Sequence, residues 1–165
     1  MRQKLWTGFI LLFGLLLLGC QPATTTYYKG AKAFGMESVS LVTPIDQQRW
    51  QDLYVTVDYS LSRSGDSLDI EGALSFSNNP KVMFTQVRDL KLKLFLLDKE
   101  MLVVGYRDIA RTLSTDLEDE TKFKKTLKLT DDVVAFTFGY EGSFVDNDPE
   151  NSSSDIVWKL PKRKF

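Results

Sequence analysis

Three features of the sequence predict an all-β fold, an antiparallel β-sandwich of about seven strands. Apolar residues recur with period two from residue 50 onward. Clusters of Gly, Asn, Asp and Pro punctuate the alternating runs at short intervals. The only long apolar stretch lies at the very start of the chain. The organisation expected from this is a signal helix over 1–19, a flexible tether over 20–35 and a sandwich domain over 36–165.

The signal comes first. Arg2 and Lys4 make a positive start, and Leu5 to Leu18 are apolar apart from Thr7, Gly8 and Gly14. A basic start, a short apolar core and a small residue before the cut mark an export signal. The core is short for a membrane span, which needs about 20 apolar residues. Leu17-Leu18-Gly19-Cys20 resembles the lipobox of bacterial lipoproteins. That resemblance implies cleavage between Gly19 and Cys20, a diacylglycerol on the Cys20 sulfur and a fatty acid such as palmitate on its amino group. Gln21 stands where an Asp commonly retains such proteins in the inner membrane, so the resemblance also points to the outer membrane, periplasmic face. Cys20 is the single cysteine, which leaves no intramolecular disulfide to form.

Residues 21–35 are small and polar without a sustained apolar period, as a tether would be. The strands follow. Val55, Val57, Tyr59 and Leu61 alternate with Thr56, Asp58 and Ser60, and Arg63-Ser64-Gly65-Asp66 turns the chain into Leu68, Ile70, Gly72, Leu74 and Phe76. Asn78-Asn79-Pro80 closes that strand, because proline has no amide proton for the ladder. Leu90, Leu92, Leu94 and Leu96 alternate with Lys91, Lys93 and Phe95, and Asp98-Lys99-Glu100 leads into Met101 to Tyr106. Residues 107–120 are polar with spaced Ile109 and Leu113, a loop or a helical turn. Phe123 to Leu129 and Val133 to Phe144 are the next two strands. In the second of them Val134, Phe136, Phe138, Tyr140 and Phe144 share the inward face, which turns Thr137 to solvent. A polar loop over 146–155 precedes a terminal strand at Ile156-Val157-Trp158.

Within this pattern, Ile70-Glu71-Gly72-Ala73-Leu74-Ser75-Phe76-Ser77-Asn78, then Leu92 to Asp98 with Met101-Leu102, resembles FxLYD-type domains of exported bacterial proteins. The chain departs from that family in having Leu97 at an aromatic position and no glycine after Asp98. The resemblance implies an immunoglobulin-like form for the sandwich and no particular activity.

The chain contains no histidine. With Cys20 acylated, Ser-His-Asp and Cys-His nucleophilic systems and the usual zinc ligand sets are excluded. A pair of carboxylates would serve glycosidase chemistry; the candidates are Asp116, Glu118, Asp119 and Glu120, or Glu141 with Asp146. The first group reads as a solvated charge run. Asp146, Asp148 and Glu150, with Asp155 beyond, have the oxygen density of a calcium loop. However, Asn151 stands where an EF-hand needs glycine and Val157 where it needs glutamate. Tyr27, Tyr28, Trp50 and Trp158 are candidates for a ligand platform, although aromatics are also ordinary sandwich cargo. Lys159, Lys162, Arg163 and Lys164 form a basic tail.

The formal charge of −1 becomes −3 when Arg2 and Lys4 leave with the signal, too mild to favour nucleic acid. No phosphate-binding loop or dinucleotide fingerprint is present. These features predict a lipid-anchored, non-catalytic envelope module without cofactor, held to the membrane through Cys20 and contacting a protein partner. A small-ligand or glycan carrier is the alternative, and a carboxylate-dependent enzyme acting on envelope polymers the third.

Overall fold

Ser64 and Ser67 face each other across a two-residue turn, with Gly65 at φ +61° in the first central position. A II′ hairpin turn demands that geometry, and its twist matches that of the strands it joins. The hairpin is the seed of the first sheet. The computed structural model describes residues 27–33, 35–41, 44–112, 114–146 and 154–162. They form β1 (Val39–Ser40), β2 (Ile45–Gln51), β3 (Val55–Ser64), β4 (Ser67–Phe76), α1 (Asn78–Met83), β5 (Gln86–Leu97), β6 (Val103–Arg111), β7 (Thr121–Lys128), β8 (Ala135–Val145) and β9 (Ser154–Lys159).

The strands divide into two antiparallel sheets. Sheet 1 has the order β2-β3-β4-β7. Sheet 2 has β6-β5-β8, and the far edge of β8 is shared end to end by β1 and β9. Without β1 and β2, seven strands remain in the order β3-β4-β7 against β9-β8-β5-β6, the strand order of immunoglobulin-like sandwiches in which the fourth strand lies beside the third.

Period two explains the interior. Val55, Val57, Tyr59 and Leu61 of β3, with Leu68, Ile70, Leu74 and Phe76 of β4, are buried against Leu90, Leu92, Leu94 and Leu96 of β5 and Phe136, Phe138, Tyr140 and Phe144 of β8. Aromatic contacts zip the layers together. Tyr59 meets Phe136 and Phe138 with ring centroids 5.8 and 5.0 Å apart, and Trp50 meets Phe138 at 5.5 Å. Such pairs add to the area they bury, by about 0.5–1.5 kcal/mol each.

The all-β sandwich stands as expected, with nine strands in two sheets among the described residues where about seven were read. Several expectations are corrected. β2 carries one buried side chain, Trp50, and a register shift between Ile45 and Gln48, so it leaves no alternation to read. After β4 the chain makes the short helix α1, with Pro80 in its first turn, where the missing amide proton costs nothing. Residues 107–111 continue β6, and no helix occurs among the described residues of 108–121. Val134 precedes β8 and is 43% exposed, so it is no part of the inward set. Thr137 was expected at the surface and has no exposed area at all.

The N-terminal segment is the cause of that last difference. Ala31 and Ala33 pack with Phe95, Leu97, Val103 and Ala135 in a second, smaller core on the outer side of sheet 2, with Tyr28, Met36 and Tyr106 against it. Backbone hydrogen bonds fix the segment: Gly30 N–H to Val103 O at 2.8 Å, Val103 N–H to Ala31 O at 2.9 Å, and Lys32 N–H to Lys162 O at 3.0 Å. The Thr137 hydroxyl donates to Glu37 O at 2.7 Å beneath it. The tether expected over 20–35 is therefore shortened, because Tyr28 to Ala33 pack against the domain.

Candidate functional site

The two outer faces of the sandwich differ in kind. On sheet 1, Asp58, Ser60, Glu71 and Lys124 line a broad hollow of about 880 Å³. Two charge pairs span neighbouring strands there: Arg49 Nε lies 2.7 Å from Asp58 Oδ1 and Lys124 Nζ 2.8 Å from Glu71 Oε2. The Arg49 hydrogen bond holds the Asp58 carboxyl below the usual carboxylate range. Opposite charges in directly facing register are how an exposed sheet face satisfies itself in water.

Sheet 2 instead buries a cation on its outer face. Lys93 is only 5% exposed. Its Nζ lies 2.8 Å from Asp108 Oδ1 on β6 and 3.1 Å from Glu141 Oε1 on β8, and 5.6 Å from the centroid of the Tyr106 ring. The register explains the trio, because Lys93 faces Asp108 across the β5–β6 ladder and Glu141 projects from the same face of β8. Burial alone would lower the lysine's pKa. Hydrogen bonds to Asp108 and Glu141, with their charges, outweigh it and hold the ammonium above its ordinary value. Tyr28 closes the site, its ring 5.0 Å from Tyr106 and 5.2 Å from Phe95, both edge-on. Burial raises the Tyr28 hydroxyl, and the Glu141 charge raises it further against the opposing pull of Lys93. Gly139 makes the packing possible, since a Cβ there would stand 2.7 Å from the Phe95 ring and 2.4 Å from Lys159 O.

A third cluster closes one end of the interior. Tyr140 Oη donates to Asp52 Oδ2 at 2.7 Å, and Lys159 Nζ sits 3.0 Å from Asp52 Oδ1 and 5.4 Å over the Trp50 ring. Burial would raise the Asp52 carboxyl, but donors from Tyr140, the Leu53 amide and Lys159 bring it below its ordinary value. Burial and the bond to Asp52 push the Tyr140 phenol far upward, so it stays protonated. This cluster ties the β2–β3 turn to β8 and β9.

The structure scatters the residues singled out by sequence. Gly19, Cys20, Asp148, Glu150, Arg163 and Lys164 lie outside the described residues. Asp146 is half-buried just beyond β8, and among the described residues no three His, Cys, Asp or Glu gather as a metal would need. Asp116, Asp119 and Glu120 are exposed, and Glu118 holds Lys81 at 2.6 Å. Glu141 and Asp146 are five residues apart with opposite parity, so the strand rise alone separates them by roughly 16 Å. Paired glycosidase carboxylates stand no more than about 9.5 Å apart. The aromatic platform does not assemble: Trp50 is in the core, Tyr27 and Tyr28 lie against the second cluster, and Trp158 stands exposed on β9. Lys159 is committed to Asp52, and Lys162 is exposed beside Lys32.

The Lys93–Asp108–Glu141 trio was not foreseen. One signal pointed to a covered face: Leu94-Phe95-Leu96-Leu97 and Ala135-Phe136 are apolar at both parities, as strands covered on both sides are. No family model, curated protein or solved structure matches the chain. Ion pairing is what these clusters can do chemically. Each carboxylate is held by a cation, and the phenol and ammonium are pushed away from the range where they would exchange protons near neutrality.

Proposed function

We propose that this chain is a lipid-anchored, non-catalytic module of the bacterial cell envelope, facing the periplasm from the outer membrane and engaging a protein partner there. The observation that carries the reading is Cys20, a lone cysteine directly behind Leu17-Leu18-Gly19 and a signal-type apolar run. An acyl-anchored domain is held to a bilayer without any spanning segment, and two or more chains are needed for a firm hold.

Three further features support a binding role over chemistry. The chain has no histidine. The carboxylate–cation clusters hold acid and base in direct contact, with no reacting position left between them. The space between the sheets is occupied by Trp50, Phe136, Phe138 and Phe144, all essentially without exposed area, where a carrier of the common sandwich type would keep a lined cavity.

The decisive experiment is expression of the full chain with radiolabelled palmitate, beside Cys20→Ala. The wild type should incorporate label and pellet with membranes at a mass reduced by the signal. C20A should remain an unlabelled precursor. Equal mass and fractionation of the two proteins would overturn the reading. Crosslinking on intact membranes then identifies the partner.

A further inference from the structure

We infer that the outer face of sheet 2 is a membrane-docking surface, seated on the phospholipid interface beside the anchor. The inference rests on the Cys20 anchor proposed above and adds an orientation to it: the bilayer meets one chosen face of the sandwich.

The first ground is where the chain enters the domain. Tyr27 is the first described residue, and its ring meets Tyr28 with centroids 4.9 Å apart. Tyr28 in turn packs on Phe95 and Tyr106 of the outer face. Six residues, 21–26, separate Tyr27 from Cys20. A chain extends by at most about 3.6 Å per residue, so Tyr27 lies within roughly 25 Å of an anchored Cys20. That short reach keeps the end of the outer face at which Tyr27 enters the domain close to the bilayer.

The second ground is what that face exposes. Trp158 is 65% exposed, Ile156 72% and Tyr27 61%. Trp158 faces Glu141 and Ile156 faces Ser143 across the β8–β9 ladder, which sets both on the outer side of sheet 2. Glu141 grips Lys93, Lys93 lies over Tyr106, and Tyr106 meets Tyr28, so the path from Trp158 to Tyr27 is continuous. With strands about 4.8 Å apart, it spans only the width of the sheet. Tryptophan and tyrosine are the side chains that favour the headgroup region, apolar in body and polar at the tip. Exposed Lys29, Lys32 and Lys162 stand by the same N-terminal segment, where anionic headgroups would meet them. Among the described residues the outer face of sheet 1 exposes no tryptophan or tyrosine; Gln47, Gln48 and Lys122 lie there beside the Arg49–Asp58 and Lys124–Glu71 ion pairs.

Without the signal, the chain has two tryptophans, the buried Trp50 and the exposed Trp158, which makes the test direct. The lipidated protein is reconstituted into phosphatidylethanolamine–phosphatidylglycerol vesicles with and without a phosphatidylcholine brominated near the headgroup end of its chains. Brominated lipid should quench tryptophan emission in the wild type, and the quenching should be lost in Trp158→Phe, which leaves both the anchor and Trp50 in place. A protein that lacks acyl mass and does not float with the vesicles overturns the anchor itself. A protein that carries acyl mass and floats, yet whose Trp158 is unquenched by lipid, overturns the docking surface alone. If Trp158 is then shielded from aqueous acrylamide and crosslinks to a second copy, the face is a protein interface instead.

Discussion

Thr126 of β7 and Thr137 of β8 both point away from the sandwich interior, one from each sheet. Thr126 is exposed, hydrogen-bonded to Asp69 across the ladder. Thr137 has no exposed area and is roofed by the N-terminal segment. The same residue type in the same kind of strand position thus meets water on one sheet and a second core on the other. Alternation tells which side chains share a face; it does not tell whether that face is covered. The difference is made by residues more than forty positions upstream of any strand they cover in β5 and β8.

The comparison breaks first at Phe95. If the outer face of sheet 2 is a true core, Phe95→Ala should cost as much as an interior truncation, about 3–5 kcal/mol. Phe95 has no exposed area and touches Tyr28 and Tyr106 at ring-centroid distances of 5.2 and 5.6 Å. Urea denaturation measures the loss. A cost below about 1 kcal/mol would show the N-terminal segment to be loosely laid on the sheet.

What could be read from the sequence follows from the same contrast. β3, β4, β5, β7 and β8 announce themselves by alternation, because each has one face on a shared interior that lies near in space whatever the loops do, whereas residues 107–111 of β6 read as a loop or helical turn. The hairpin at Gly65 is local chemistry and equally plain. β2 is not, since only Trp50 of its seven residues is buried. The Lys93 trio depends on a register between three strands, and Lys93 in an alternating run reads as one more solvated lysine. Cover by Ala31 and Ala33 is written in small residues, which carry almost no periodic signal.

The second break concerns charge. Asp108→Asn with Glu141→Gln keeps the shape of the site and leaves the Lys93 ammonium without carboxylates. Breaking a buried pair costs about 3–5 kcal/mol. The Asp108 and Glu141 side chains are 54% and 39% exposed, so water offsets part of this and about 2 kcal/mol is expected. The pH dependence sharpens the result. In the wild type, the folded pKa of Lys93 lies above its unfolded value of about 10.4. Its stabilisation is thus complete below that value and is lost as pH rises through the folded pKa. In the variant burial acts alone and the folded pKa falls below the unfolded one. Protons then leave the folded state first, so the variant's deficit shrinks as pH rises toward 10. Urea midpoints of both proteins across that range test the sign. A deficit that widens with pH would mean Lys93 is not held by these carboxylates.

The smallest effect returns to the two threonines. Thr137→Ala removes a methyl group from a packed site and a hydroxyl bonded to Glu37 O at 2.7 Å. A buried polar group deprived of its partner costs about 1–3 kcal/mol, and Glu37 is itself exposed, so water can reach the orphaned carbonyl and the lower end of that range applies. Thr126→Ala removes an exposed hydroxyl whose partner, Asp69, is solvated without it; such changes stay within about 0.5 kcal/mol. Both substitutions trade strand propensity for the same alanine, so that loss is common to the two proteins. The difference between their urea midpoints isolates the cover. Equal midpoints would place Thr137 in water, and with it Lys93 and Phe95, because a single segment seals all three from the same side.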